Sequence, residues 1–168
     1  MRFALPILAT LALSACGLSP MYAGGGDGRV ASGLGAIEVA PIPDQAGWLM
    51  RDALVERLKI GDDQAARYRL DVRLDDQLQG LGLLGDDTIG RQRRTLRARY
   101  RLVDIATGET IMDETAGSDA GVDVVSSEYA TIAAEQTALE NLTIQIAERI
   151  VTRISLRLRE GAPTAATQ

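Results

Sequence analysis

Apolar and polar residues alternate through the middle of the chain. Tyr68, Leu70, Val72, Leu74 and Leu78 take one parity, Arg69, Asp71, Arg73, Asp75 and Gln77 take the other, and only Asp76 interrupts the apolar side. A period of two predicts a strand with one buried face. A second run sets Leu96, Ala98, Tyr100 and Leu102 against Arg97, Arg99 and Arg101. The glycine-rich segment 80–90 between them closes a long hairpin. Asp104-Ile105-Ala106-Thr107-Gly108-Glu109 has the chemistry of a tight turn, with Gly108 suited to a left-handed position. A third antiparallel strand is predicted over about 110–122, with small residues Ala116, Gly117, Ser118 and Ala120.

Two stretches carry the helical period instead. Residues 34–40 read as a short strand stopped by Pro41-Ile42-Pro43, after which Asp44 offers a helix cap. Leu49, Met50, Ala53, Leu54 and Leu58 then recur at three- and four-residue spacing up to Gly61. Strand, helix and strand in that order allow a parallel pair. Beyond Ser126 and Ser127, either of which can cap, Ile132, Leu139, Leu142, Ile146, Ile150 and Ile154 form one stripe. A helix of about 30 residues is roughly 45 Å long. Residues 150–159 also alternate as a strand would, but no breaker interrupts the run from Glu128, so the prediction stays helical. The expected fold class is α+β: a two-layer sandwich with an approximately four-stranded mixed/antiparallel sheet, order β-α-β-β-β-α, and both helices on one face. There are no internal repeats.

The N-terminus has another character. Arg2 precedes an apolar run of 11 residues, 3–13, too short to span a bilayer and right for a signal peptide. Leu13-Ser14-Ala15-Cys16 resembles the lipobox at which bacterial lipoproteins are cut and acylated. Cys16 is the chain's one cysteine. Acylation accounts for an unpaired thiol in an exported protein and supplies a membrane anchor without a spanning helix. Gly17 at the next position favours the outer membrane, by resemblance to lipoprotein sorting signals. Residues 1–15 are therefore expected to be a signal peptide, 16–33 a lipidated flexible tether, 34–160 a single sandwich domain and 161–168 a disordered tail.

Composition removes most catalytic classes. In 168 residues there is no His and one Lys, so neither a Ser/His nor a Cys/His nucleophile pair is available, nor a His/Cys zinc cluster. The 23 acidic residues leave carboxylate chemistry open, but Asp75-Asp76 and Asp86-Asp87 are adjacent in sequence, and adjacent strand residues point to opposite faces. No enzyme, metal or cofactor is expected. Loss of Arg2 with the leader takes the net charge from −5 to −6. Within residues 65–101, however, nine Arg stand against five Asp. Arg67, Arg69, Arg73, Arg97, Arg99 and Arg101, with Arg91 and Arg93, are expected on the polar sheet face. Such a face can hold phosphates or carboxylates bidentately, or pair with Asp71, Asp75, Asp113 and Asp119 on neighbouring strands. Arg91, Arg93 and Arg94 lie near the loop with few acidic neighbours in sequence, and are the primary candidates for an anionic ligand. Arg97 and Arg99 follow. Nucleic acid is excluded as a partner by export, net acidity and few aromatics; anionic lipid fits better. At the hairpin tip, Leu81-Gly82-Leu83-Leu84 is apolar and either folds back or contacts lipid or a partner wall. Leu83, Leu84, Asp87 and Ile89 are the expected tip contacts.

With these segments assembled, the chain resembles the lipopolysaccharide-assembly lipoprotein family, LptE, in its alphaproteobacterial form. The resemblance rests on Cys16-Gly17-Leu18-Ser19-Pro20-Met21-Tyr22, Ile37-Glu38-Val39-Ala40-Pro41-Ile42-Pro43-Asp44 and Tyr68-Arg69-Leu70-Asp71-Val72. It continues through Ala98-Arg99-Tyr100-Arg101-Leu102, Ala106-Thr107-Gly108-Glu109 and Tyr129-Ala130-Thr131-Ile132-Ala133-Ala134-Glu135-Gln136. Leu18 and Met21 depart from the family's usual aromatic and Leu. The resemblance implies a lipid-anchored protein on the periplasmic side of the outer membrane, acylated (palmitate) at Cys16. It implies a one-to-one plug in the β-barrel lipopolysaccharide translocon LptD that helps assemble the barrel and move lipopolysaccharide to the outer leaflet. The competing expectation is another lipid-anchored periplasmic adaptor, such as a regulator of cell-wall synthesis.

Overall fold

The computed structural model describes residues 33–58, 65–83 and 89–160. Cys16, the leader, the tether up to residue 32 and the tail lie outside the described residues. The elements are β1 (Ile37–Val39), α1 (Asp44–Leu58), β2 (Tyr68–Leu83), β3 (Ile89–Asp104), β4 (Thr110–Asp123) and α2 (Glu128–Glu160). They form a four-stranded sheet in the order β1-β2-β3-β4, with β1 parallel to β2 and the other pairs antiparallel. This is the α+β arrangement that the hydropathy periods predict. β1 is shorter than the expected strand, because residues 33–35 form a helical turn that buries Leu34 instead.

The even-numbered side chains of β2 and β3 build the core. Leu70, Val72, Leu96, Ala98, Tyr100 and Leu102 pack under Met50 and Leu54 of α1 and under Leu139, Leu142, Ile146, Ile150 and Ile154 of α2. The odd-numbered side chains face solvent. The turn after β3 uses the predicted chemistry: Asp104 Oδ1 accepts from the amides of Ala106 and Thr107, and Gly108 adopts φ 72°.

α1 begins under strain. Asp44 has φ 67°, a left-handed conformation that Asp tolerates better than most residues. One turn later the helix presses on the preceding loop, and a Cβ at Gly47 would lie 2.6 Å from the carbonyl oxygen of Ile42. Gly47→Ala should therefore destabilise the fold by about 1–3 kcal/mol, read as a lower urea midpoint at unchanged slope. An unchanged midpoint would mean that the loop yields freely.

α2 is helical to Glu160, which settles the ambiguous stretch 150–159. Helical spacing buries Ile146, Ala147, Ile150, Val151 and Ile154 on one face, a better result than alternation offers. A second stripe, Gln145, Arg149, Arg153 and Arg157, runs along β4. Gln145 accepts from Ser118 Oγ (3.1 Å), Arg149 donates to Gly117 O (2.6 Å), Arg153 to Glu114 Oε2 (3.1 Å) and Arg157 to Ile111 O (3.4 Å). The stripe fixes the antiparallel register of helix on strand and caps carbonyls on the outer edge of β4. The two helices run parallel, with Gln45 bonded to Gln136 and Arg57 to Glu148. α1 therefore starts level with about residue 135, and α2 overhangs it towards the β2–β3 hairpin. Gly33 lies at the opposite end, beside Leu158. No described helix is long and apolar enough to cross a membrane.

Candidate functional site

The outward sheet face is a lattice of arginine and aspartate set by strand register. Asp71 lies opposite Arg101, Arg73 opposite Arg99 and Asp75 opposite Arg97 across the β2–β3 pair. Thr115 lies opposite Arg99 and Gly117 opposite Arg97 across the β3–β4 pair. Much of the charge is neutralised within the sheet, as cross-strand pairing allows. Asp71 takes Arg69 (3.1 Å) and Arg101 (3.8 Å), and Arg99 donates in bidentate fashion to Asp113 at 2.9 Å for both bonds. Arg99 holds the Asp113 carboxyl below its ordinary value, and Asp113 raises that of Arg99. A lowered carboxyl favours the folded state above the ordinary carboxylate range, and that contribution falls away as pH drops through the lowered value.

Two arginines differ. Among the described residues, Arg73 and Arg97 are the β-strand arginines with no carboxylate within 4.0 Å. Arg73 shares a depression with Asp71, Arg99 and Arg101. Arg97 borders a neighbouring one with Thr95, Thr115, Gly117 and Asp119. Gly117 makes that second depression possible, because a Cβ there would stand 3.2 Å from Arg97 Cγ. Arg73, Arg99 and Arg101 thus border one depression and Arg97 the next, and neither Arg73 nor Arg97 has a carboxylate within 4.0 Å among the described residues. Planar donors of this kind suit phosphate or carboxylate oxygens.

The arginines nearest the hairpin behave differently from the expectation that they lack acidic partners. Arg91 pairs with Asp123 at 3.2 Å and Arg93 with Asp119 at 3.8 Å, all four side chains being more than half exposed. Arg94 is on the helix side of the sheet, apart from the other two. It donates to Asp76 at 2.6 and 3.0 Å and to the backbone carbonyl of Glu135 at 3.0 Å. Asp76, the one break in the apolar parity of β2, is there as its partner. Linear neighbours could not show this, because all three arginine–aspartate pairings cross strands. Arg94 ties β2, β3 and α2 together, so Arg94→Ala should cost about 1–3 kcal/mol by leaving a partly buried carboxylate unpaired. Chemical denaturation measures this, and an unaltered midpoint would deny Arg94 that role. Of the other expected pairings, Asp113 and Asp119 do engage arginine, whereas Asp75 accepts from Gln77.

Arg73 was legible as a face residue but not as a ligand candidate, since its pairing opposite Arg99 depends on the register. At the hairpin, Leu83 pairs with Ile89 through the backbone. Their side chains, and the residues Leu84 and Asp87, lie outside the described residues. No group of three or more His, Cys, Asp or Glu among the described residues is placed to hold a metal ion.

Comparison with known proteins supplies the wider setting. A chain from Caulobacter crescentus assigned as a lipoprotein is 25% identical, with a TM-score of 0.68 over 82% of this chain and 100% of its own. The minor lipoprotein of Acinetobacter baumannii (17% identity, TM-score 0.57, 71% of this chain and 90% of its own) has the same fold. So does rare lipoprotein B of Shewanella oneidensis (14%, 0.53, 74% and 95%). No protein with a curated description matches in sequence. The profile of the lipopolysaccharide-assembly family matches residues 34–154, from the first buried leucine through β1 to β4 and nearly all of α2. The chain belongs to the lipopolysaccharide-assembly family, LptE.

Proposed function

We propose that the protein is exported, acylated at Cys16 and held on the periplasmic side of the outer membrane, where it plugs the β-barrel lipopolysaccharide translocon one-to-one. In that position it helps assemble the barrel and assists lipopolysaccharide transport to the outer leaflet, without covalent chemistry. One observation supports this reading above the others: Arg73 and Arg97, which have no carboxylate within 4.0 Å among the described residues, stand near Arg99 and Arg101 on an open sheet face. Such a surface suits lipid A phosphates or acidic groups of a barrel lumen. Arg91 and Arg93 extend it towards the hairpin. The placement of Gly33 at the end opposite the hairpin is consistent with a tether at the periplasmic rim and a hairpin inside the barrel.

Photocrosslinkers at Leu83, Asp87 and Ile89 test the geometry in intact cells. Capture of lumen-facing barrel residues, with a barrel retained on purification in detergent, is the expected result. Capture of soluble or inner-membrane proteins alone would favour the adaptor role. The face is tested separately: Arg73→Ala with Arg97→Ala should weaken lipopolysaccharide binding about ten- to hundredfold and reduce its salt sensitivity, with the melting temperature unchanged. Unaltered binding at low salt would leave the arginines as a solvated face only.

A further inference from the structure

The two long edges of the sheet are treated unequally. On β4, Arg149 and Arg157 reach over from α2 and occupy the carbonyls of Gly117 and Ile111. The other edge belongs to β1 only at its beginning. There Tyr68 donates its amide to Ala36 O, and Leu70 O accepts from Ala40. Backbone groups alternate in direction along a strand, so Val72, Leu74, Asp76, Leu78 and Gly80 present theirs to the same side. Among the described residues nothing pairs with that continuation, which runs for about 30 Å. A charge pointing inward usually blunts an open edge. Here Asp76 is that charge, but Arg94 binds it at 2.6 Å and removes it as a deterrent.

We infer that the edge of β2 beyond β1 receives, by main-chain pairing, an extended segment of the barrel partner that lies outside its closed ring of strands, since the ring itself has no free edge. The inference rests on the barrel-plug reading and specifies one of its contacts. The occupant's chemistry follows from what borders the edge. On the helix side a strand would meet Leu74 and the exposed Leu78, which call for apolar residues. On the outer side it would lie beside Arg73, which has no carboxylate within 4.0 Å among the described residues, so an acidic residue in the outward row completes that pair. A second copy of this chain fits less well. Antiparallel self-pairing about Gln77 sets Leu81 against Arg73 and provides no acid, while self-pairing about Leu74 offers Asp75 to Arg73 but joins only residues 72–76 before β1 blocks it.

Hydrogen exchange on the full acylated chain, free and co-purified with the barrel, tests this. The amides of Val72, Leu74, Leu78 and Gly80 should exchange rapidly in the free chain and at least a hundredfold more slowly in the complex. Leu78→Pro removes one outward amide at a position where an edge strand tolerates proline. It should weaken retention of the barrel about tenfold while melting close to wild type. If Leu78→Pro does not fold, Leu78→Lys keeps the amide but places a charge where the incoming segment needs an apolar contact, and it should weaken retention of the barrel as well. Protection already present in the dilute free chain would mean that the chain covers its own edge. Protection rising with concentration would mean self-pairing. Either result overturns the inference, as does a retained barrel with these amides still in fast exchange, an outcome that leaves the plug reading intact. If no barrel is retained at all, the plug reading fails first and the inference falls with it.

Discussion

Cys16→Ala is expected to move the protein from the membrane fraction to the soluble periplasm, with no label from radioactive fatty acid and an unchanged melting curve. Each buried methylene contributes about 0.8 kcal/mol, and a single acyl chain gives only marginal, reversible binding. Stable anchoring thus depends on several chains at one residue, and loss of that residue removes them together. The effect on folding should be negligible, because the family match begins only at residue 34 and the glycine-rich stretch between Cys16 and that point carries no hydrophobic period. Fatty-acid label retained on the Ala variant would defeat the claim. So would a melting temperature lowered by several degrees, which would place Cys16 in the packed body.

The largest effect on stability is expected at Tyr100. Its side chain is fully buried among the core residues of both layers, and its hydroxyl donates to Glu114 Oε2 at 3.2 Å. The same oxygen accepts from Arg153 of α2 at 3.1 Å, so one carboxylate joins β3, β4 and the long helix. Tyr100→Ala leaves a cavity of ring size and should cost about 3–5 kcal/mol, a large part of a stability of the usual 5–15 kcal/mol. Tyr100→Phe keeps the ring and leaves Glu114 with Arg153, so about 1 kcal/mol is expected. Burial first, and then the Glu114 charge, push the Tyr100 hydroxyl well above its ordinary value. A raised value favours folding fully below the ordinary phenol range, and that support is lost as pH climbs beyond it. Wild type should therefore lose stability above about pH 10, and Tyr100→Phe should lose less. Urea unfolding of the three proteins at pH 7 and pH 10.5 measures both effects. Equal midpoints for wild type and Tyr100→Ala at pH 7 would remove Tyr100 from the core.

Several features were legible without coordinates because they depend on short-range periodicity. Alternation at Tyr68 to Leu78 and at Leu96 to Leu102 assigns faces as well as strands, since side chains of one parity must share a side. The Asp104 to Glu109 turn follows from local hydrogen bonding and from the positive φ that Gly108 tolerates. The ambiguous segment 150–159 shows where such reasoning stops. Its residues satisfy both periods, and the choice falls to the layer above the sheet, where a continuous helix buries Ile146, Ile150 and Ile154 together.

Pairing was not legible, because faces are local and registers are not. A strand period says that Arg73, Arg97 and Arg99 share a side, but a cross-strand offset decides that Arg99 meets Asp113 while Arg73 and Arg97 have no carboxylate within 4.0 Å among the described residues. The same offset, together with the overhang of α2, turns Asp76 from an apparent flaw in an amphipathic strand into the partner of Arg94. The Gln145, Arg149, Arg153 and Arg157 stripe looks like a solvated helix face until β4 is set beside it. Local periodicity suffices to say which residues are inside, which form the cationic face and where the chain turns. The packing of distant segments sets which charges are neutralised, which stay available to a ligand and which sheet edge is left open among the described residues. Those outcomes depend on distances between segments that are far apart in the chain, and local chemical preference carries no information about them.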